Sequence, residues 1–488
     1  MRGLPERGRR RICATIMRLY FMGICGTGMG NGALLMRALG HEVTGADQNA
    51  YPPMSDRLRE AGVQVLEGYD PERLRSLFPD LVVIGNVHTR GNPEVEWLLA
   101  GRAIPFVSLP ELLAREILGQ RRSVVVAGTH GKTTTTTLAA WLLREAGHDP
   151  GFLIGGVPLD LPVGAHAGDA AAPFVIEGDE YDSAFFDKRS KFIHYCPSVL
   201  VLNNLEFDHA DIFRDLEDVR RTFRHLLKLV PANGAILANA DDAEVEGLLD
   251  LDWAPVFRVG LSERADLRIL DFQEGPKGAE FSLQFGGKPW GRVRWTLPGL
   301  FNARNLAMAA MAAARGLGLE DPTELPLSGL DRFRGVKCRQ EVLSEGEGAT
   351  ILRDFAHHPT AVRETILSLR NRYPGRPLHI AFEARSNTAC RKIHETEFEI
   401  VFDLADRVHL GSVHRAERYP ENDRIHFEAM AKRLGDKATA YAGNAGLEAG
   451  LVKELARRPE AVVVFFSNGS FDGVPERVTA SAGRNRKA

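Results

Sequence analysis

A strand pattern of the buried kind, Val124-Val-Val-Ala127, runs directly into Gly128-Thr129-His130-Gly131-Lys132-Thr133-Thr134, and a helical pattern follows to Ala146. Backbone amides in such a turn converge on phosphate oxygens, and the helix start adds positive potential. In that arrangement Lys132 reaches the outer phosphates and the Thr133 hydroxyl takes one Mg²⁺ position. Val126 stands where the first glycine of this loop is usual. The assignment therefore rests on the order strand, Gly-Lys-Thr, helix.

Four other stretches carry residue types that do chemistry. The strand Phe174–Ile176 delivers Glu177-Gly-Asp179-Glu180-Tyr-Asp182. Acidic residues after a strand are more often a solvated turn, but beside a phosphate loop they suit a hard cation, which wants carboxylate and hydroxyl oxygens. Near the start, Gly23-Ile-Cys25-Gly26-Thr27-Gly28-Met-Gly30 leaves room for a pyrophosphate, and Asp47 follows at the end of the next strand, where an acid can hold a ribose. Asn31 replaces the third glycine of the dinucleotide fingerprint, so a dehydrogenase reading of this stretch is weak. Late in the chain, Phe382-Glu383-Ala384-Arg385-Ser386-Asn387-Thr388 places Arg385 where a guanidinium can grip carboxylates bidentately. His357 and His358 precede Pro359; with no third ligand nearby in the sequence, they are read as substrate or interdomain contacts.

The elements that position these residues form three βα-type blocks, which fits a chain of 488 residues at roughly three domains. A first block spans 17–120, a central block 121–326 and a C-terminal block 327–475. Residues 1–16 read as a disordered leader, with Met17 a candidate start, and 476–488 as a disordered polar tail. Residues 265–297 look like a hairpin-rich insertion around Gly286-Gly287. The fold class is α/β, doubly wound in each block. A net charge of −3 gives no reason to expect a nucleic-acid or anionic-membrane partner. No stretch approaches the ~20 apolar residues of a bilayer span. Five scattered cysteines without a CxxC pair indicate reduced thiols in the cytoplasm.

The loop Gly128–Thr134 resembles the ATP loop of the Mur ligases, a family with a Rossmann-like nucleotide-sugar domain, a central P-loop ATPase domain and a Rossmann-like C-terminal domain. The resemblance extends to Glu177, implying a Mg²⁺ ligand opposite Thr133. It also covers Asn203-Asn204-Leu-Glu206-Phe-Asp208-His209, implying a second Mg²⁺ contact at His209. The family's carbamylated lysine is not expected, because 213–227 contains no lysine. The helix start Pro298-Gly299-Leu-Phe301-Asn302-Ala-Arg-Asn305 resembles the adenine-contacting element, with Phe301 in place of a histidine. Arg339 in Lys337-Cys338-Arg339-Gln-Glu341 implies charge neutralisation during phosphoryl transfer, and Asp354 a hold on the adenine ribose.

Together with Gly85-Asn86-Val-His-Thr89-Arg90-Gly91-Asn92-Pro93, the first block resembles the UDP-binding domain of the peptidoglycan-recycling branch. That branch implies ATP and Mg²⁺, UDP-N-acetylmuramate as the acid, and the tripeptide L-Ala-γ-D-Glu-meso-diaminopimelate as the amine, joined through an acyl phosphate. Gly26, Thr27, Gly28, Asp47, Asn86, Thr89, Arg90, Asn92, His358, Arg385, Ser386 and Asn387 are then substrate contacts. Lys132, Glu177, His209 and Arg339 carry catalysis. The alternative is a ligase that uses L-alanine or another Mur-type amino acid.

Overall fold

The computed structural model describes residues 15–162, 164–346 and 348–484. The expected leader falls, up to residue 14, outside them. The chain divides into two compact units: residues up to Leu113 together with Asp182–Lys188, and Ala114–Tyr181 together with the chain from Arg189 onward. The first boundary lies before residue 120, where an α-helical turn Leu109–Leu113 passes into a π-helical turn Ala114–Leu118.

In the first unit, β1 (Arg18–Met22), β2 (Glu42–Asp47), β3 (Gln64–Glu67), β4 (Leu81–Ile84) and β5 (Phe106–Ser108) form one parallel sheet in the order β3-β2-β1-β4-β5. Helix α1 (Thr27–Ala38) follows β1, and α2 (Pro93–Gly101) follows β4. The strand order reverses between β1 and β4. In open α/β sheets the crevice beyond the strand ends at this point is the usual ligand site. The turns 23–28 and 85–92 both leave the sheet there.

The second unit contains the central and C-terminal blocks, each with its own sheet. The central sheet uses β6 (Ser123–Ala127), β7 (Gly151–Leu153), β8 (Ala165–His166), β9 (Phe174–Gly178), β10 (Val199–Leu202), β11 (Ala235–Asn239), β12 (Val256–Gly260), β13 (Leu267–Gly275), β14 (Gly278–Phe285) and β15 (Lys288–Trp295). Its order is β15-β14-β13-β12-β11-β10-β6-β9-β7-β8. The expected insertion at 265–297 is the antiparallel meander β13–β15, which extends the parallel sheet at one edge.

Strand β6 is buried at every position, as a parallel strand covered on both faces must be. The helix after it, α3 (Lys132–Glu145), begins with five threonines, Thr133 to Thr137. Threonine is a poor helix former, and Thr137 Oγ1 bonds back to the Thr133 carbonyl at 2.7 Å. Burial of the helix between sheet and neighbour holds it, above all against the alanine-rich α4 (Leu300–Leu317), whose small side chains allow close approach.

The C-terminal sheet comprises β16 (Glu341–Ser344), β17 (Thr350–Asp354), β18 (Leu378–Ala384), β19 (Arg407–Val413), β20 (Ala438–Ala440) and β21 (Val462–Phe466), in the order β16-β17-β21-β18-β19-β20. It is parallel except for β16. Helix α5 (Pro359–Arg372) follows β17, starting directly after His358.

Of the tail expected to be disordered over 476–488, the part up to residue 484 is instead helical, within α6 (Val474–Arg484), and 485–488 lie outside the described residues. Val474 and Val478, one helical turn apart, are fully buried against Ile351, Val463 and Leu451. These two apolar anchors, with Ala482 packed beside them, dock an otherwise polar segment. Among the described residues, no helix is long and apolar enough to cross a membrane.

Candidate active site

The phosphate loop is built where β6 ends and is pinned by the chain leaving β10. Thr129 N donates to the Asn204 carbonyl (3.1 Å), and His130 N donates to Asn204 Oδ1 (2.7 Å). Asn204 Nδ2 returns a bond to the His130 carbonyl (3.2 Å). Gly131 has a positive φ of 81°, and a Cβ there would lie 2.4 Å from Asn305 Oδ1, so this position requires glycine.

Lys132 Nζ curls back over the loop. It donates to the Gly128 carbonyl (2.7 Å) and to Glu180 (3.0 Å to Oε1 and 2.9 Å to Oε2). Burial works against the ammonium, but Glu180, Asp179 and Glu177 more than offset it and hold its pKa above the ordinary value.

Thr133 Oγ1 donates to Glu177 Oε2 at 2.9 Å, and Gly155 N donates to Glu177 Oε1 at 2.6 Å. Burial raises the Glu177 pKa despite these donors and the neighbouring Lys132 and Arg339. A buried carboxylate next to a hydroxyl, with its charge incompletely compensated, fits a hard divalent cation. Asp179 is matched separately, by Lys191 at 2.6 Å.

His209, in a left-handed backbone conformation, donates through Nε2 to Glu180 Oε1 at 2.8 Å. Burial opposes its charged form, but Glu180 and Asp208 prevail and raise its pKa. Glu180 thus joins Lys132 to His209, a role that the sequence reading did not give it. The signal lay within the acidic run, one residue past Asp179.

Asn302 and Asn305, expected at the adenine edge, are buried with their amides engaged inside the protein. Asn302 Nδ2 donates to the Pro298 carbonyl (2.7 Å), and Asn305 Oδ1 accepts from Thr135 Oγ1 (3.2 Å) against the phosphate loop. Arg339 lies over the Phe355 ring, 4.3 Å from its centroid. Burial lowers its pKa, while Asp354 and Glu177 pull the other way, which puts a C-terminal guanidinium within electrostatic reach of the Glu177 carboxylate. Asp354 accepts from Gln340 N (2.7 Å) and Ala356 N (2.8 Å), fastening the 338–340 turn that carries Arg339.

His358 is buried, with Nδ1 3.3 Å from Glu206 Oε2 and its ring centroid 4.8 Å from that of His130. The expectation that it lacks nearby ligands fails, because His130 and Glu206 come from distant segments that only folding brings together.

A cavity of about 380 Å³ opens on the C-terminal block, lined by Arg385, Asn387, His414, Arg415, Arg418, Tyr419 and Asn468. Tyr419 OH donates to Asn387 Oδ1 (2.9 Å). Arg385 has Glu383 at 3.8 Å and lies across Gly469, where a Cβ would meet its Cδ at 2.2 Å. Ser386 does not line the cavity; its Oγ caps the turn by accepting from Ala389 N (3.1 Å). The cations at 414–418 were missed, although His414-Arg415-Ala-Glu-Arg418 was visible as a charge cluster after a strand.

In the first unit, Asp47 accepts from Cys25 N (2.9 Å) and Asn49 N (3.3 Å), so it organises the glycine turn. Asn92 caps α2 through Glu94 N and Val95 N. Arg90 pairs bidentately with Glu96 (2.8 and 2.9 Å), and Thr89 Oγ1 makes a local bond to the Arg90 carbonyl. Of the expected substrate residues here, Gly26, Thr27, Gly28 and Asn86 stand at the β1/β4 reversal.

Two family models match the chain, the Mur ligase family catalytic domain over residues 18–121 and the Mur ligase middle domain over 126–314. A UDP-N-acetylmuramate–L-alanyl-γ-D-glutamyl-meso-2,6-diaminoheptandioate ligase of Escherichia coli K12 is 40% identical over 474 residues, covering 97% of this chain and 100% of that protein.

The chain is a Mur ligase.

A solved murein peptide ligase from Psychrobacter arcticus has 34% identity and a TM-score of 0.68, covering 96% of this chain and 99% of that one. A UDP-N-acetylmuramate–L-alanine ligase of Halorhodospira halophila is 33% identical and covers 97% of this Mur ligase and 95% of its own length. The family resemblance read from the phosphate loop therefore holds along the chain.

Proposed function

We propose that this Mur ligase joins the tripeptide L-Ala-γ-D-Glu-meso-diaminopimelate to UDP-N-acetylmuramate at the expense of ATP, in the cytoplasm, as part of peptidoglycan recycling. The observation that carries the choice of amine is the cavity of Arg385, His414, Arg415 and Arg418. An acceptor with several carboxylates can satisfy three guanidinium groups, and free L-alanine with one cannot. The full-length similarity to the Escherichia coli ligase supports the same reading.

In this reading the α3 N-terminus and Lys132 hold the outer phosphates, and Thr133 with Glu177 holds Mg²⁺. The metal supplies charge neutralisation on the phosphoryl oxygens. Arg339 adds positive charge from the C-terminal side as the lactyl carboxylate is phosphorylated to an acyl phosphate. The tripeptide amine then displaces phosphate and forms the amide. The side chains position the reactants and stabilise charge; they form no covalent bond to substrate. Gly26–Gly28 and Asn86 at the strand-order reversal of the first unit are assigned to the UDP moiety.

The test is ADP release with UDP-N-acetylmuramate, comparing tripeptide with L-alanine. The expected result is turnover with the tripeptide; turnover with L-alanine alone would assign the enzyme to the alanine-adding branch.

A further inference from the structure

Three side chains outside the Thr133–Glu177 position converge from separate segments. His130 comes from the phosphate loop, Glu206 from the chain after β10, and His358 from the residue before α5. Their ligand atoms all lie within 4.8 Å of one another. His130 Nε2 is 2.8 Å from Glu206 Oε2, and His358 Nδ1 is 3.3 Å from the same oxygen. Thr360 Oγ1 donates to the other carboxylate oxygen, Glu206 Oε1, at 2.6 Å and fixes its orientation.

His358 is 6% exposed, yet neither ring nitrogen makes a hydrogen bond of acceptable geometry. A buried imidazole in that condition is costly unless something else completes it. The ring of His394 packs edge-on against it at 4.6 Å, with its own Nε2 engaged by the Phe207 carbonyl (3.1 Å), so His394 does not satisfy it.

We propose that His130, Glu206 and His358 form a binding site for a divalent cation of the zinc class. Two imidazole nitrogens and one carboxylate oxygen match the donor preference of Zn²⁺, Co²⁺ or Ni²⁺, with a fourth position left for solvent or a phosphate oxygen. Mg²⁺ prefers an all-oxygen shell and is not the ion expected here. The site shares no ligand with Thr133, Glu177 or His209. The hydroxyl of Thr360 on Glu206 supplies the outer contact that metal-bound carboxylates commonly have. Because His130 and Glu206 belong to the central block and His358 to the C-terminal one, an ion here ties the phosphate loop to the base of α5.

The test uses the full-length, nucleotide-free protein titrated with Co²⁺ and followed by visible absorption. The expected result is one equivalent giving the ligand-field bands of four-coordinate Co²⁺, displaced by Zn²⁺. His358→Ala and Glu206→Gln lose the bands, with circular dichroism reporting that each variant is folded, and His209→Ala keeps them. Zn²⁺ raises the thermal midpoint of the wild-type protein but not of His358→Ala. Absence of the bands in folded wild-type protein overturns the proposal. So does their persistence in both His358→Ala and Glu206→Gln, or their loss in a folded His209→Ala.

Discussion

The phosphate-loop cluster and the C-terminal cavity are both charged, but their charges are managed in opposite ways. Around Lys132 the charges are buried and mostly matched inside the protein: Glu180 serves Lys132 and His209, Lys191 serves Asp179, and Glu177 has the neutral donors Thr133 and Gly155. Around Arg385, positive groups crowd a solvent-open cavity, with the Glu383 carboxylate 3.8 Å from the Arg385 guanidinium. The first arrangement holds a fixed geometry for one kind of chemistry. The second leaves its charge to be completed by a ligand, which is how a shared catalytic frame acquires a particular acceptor.

The largest effect on this contrast comes from Lys132→Ala. Removing the cation that faces developing phosphate charge should lower the rate of ADP formation by at least roughly 10²-fold, measured by coupled assay. UDP-sugar binding, measured by calorimetry, should be unchanged. Next comes Glu180→Gln, which leaves Lys132 and His209 short of their shared carboxylate. Breaking a buried ion pair by neutralising one partner costs about 3 kcal/mol or more, visible as a lower denaturation midpoint.

Arg415→Ala and Arg418→Ala should do the reverse. A lost charge-assisted contact of about 1.5–3 kcal/mol raises KM for the tripeptide roughly ten- to a hundredfold, with the KM for ATP and the denaturation midpoint unmoved. A loss of stability instead would show that these arginines serve the fold.

The effect that is smallest near neutral pH is a pH dependence. His409 is buried in β19, with Nδ1 3.0 Å from Tyr441 OH and its ring stacked on His379. Burial, then His379 and Arg407, holds its pKa down at about 3. Below the unfolded value of about 6.5 the unfolded chain takes up a proton that the folded one refuses, so stability present above that pH is lost as pH falls towards 3. The slope approaches about 1.4 kcal/mol per pH unit for this one group. His409→Phe should flatten the curve of thermal midpoint against pH in that window.

What could be read from the sequence divides along the same line. The phosphate loop was legible because strand, turn and helix start are contiguous, and the geometry that makes them work is local. The C-terminal cavity was half legible: Arg385 and Asn387 sit in one motif, but Arg415 and Arg418 reach the same space from the end of another strand. Asn92, Ser386 and Asp354 were read as ligand contacts; Asn92 and Ser386 bind backbone amides of their own turns, and Asp354 binds those of Ala356 and of Gln340 in the neighbouring 338–340 turn. A cap and a ligand contact look alike in sequence, since both want a short polar side chain at the edge of an element. The docking of α6 was hidden for a different reason: Val474 and Val478 carry it in a segment whose composition is otherwise polar.

The central sheet also constrains how the protein is made. Strand β6, which presents the phosphate loop, lies between β9 and β10 and so waits for partners that end at Gly178 and Leu202. On the ribosome, that strand has an open edge until Leu202 has left the exit tunnel, and the turn 128–134 cannot be pinned by Asn204 before that residue too has emerged. A translational pause between codons 127 and 204 would expose a run of valines at the moment when a chaperone is most needed.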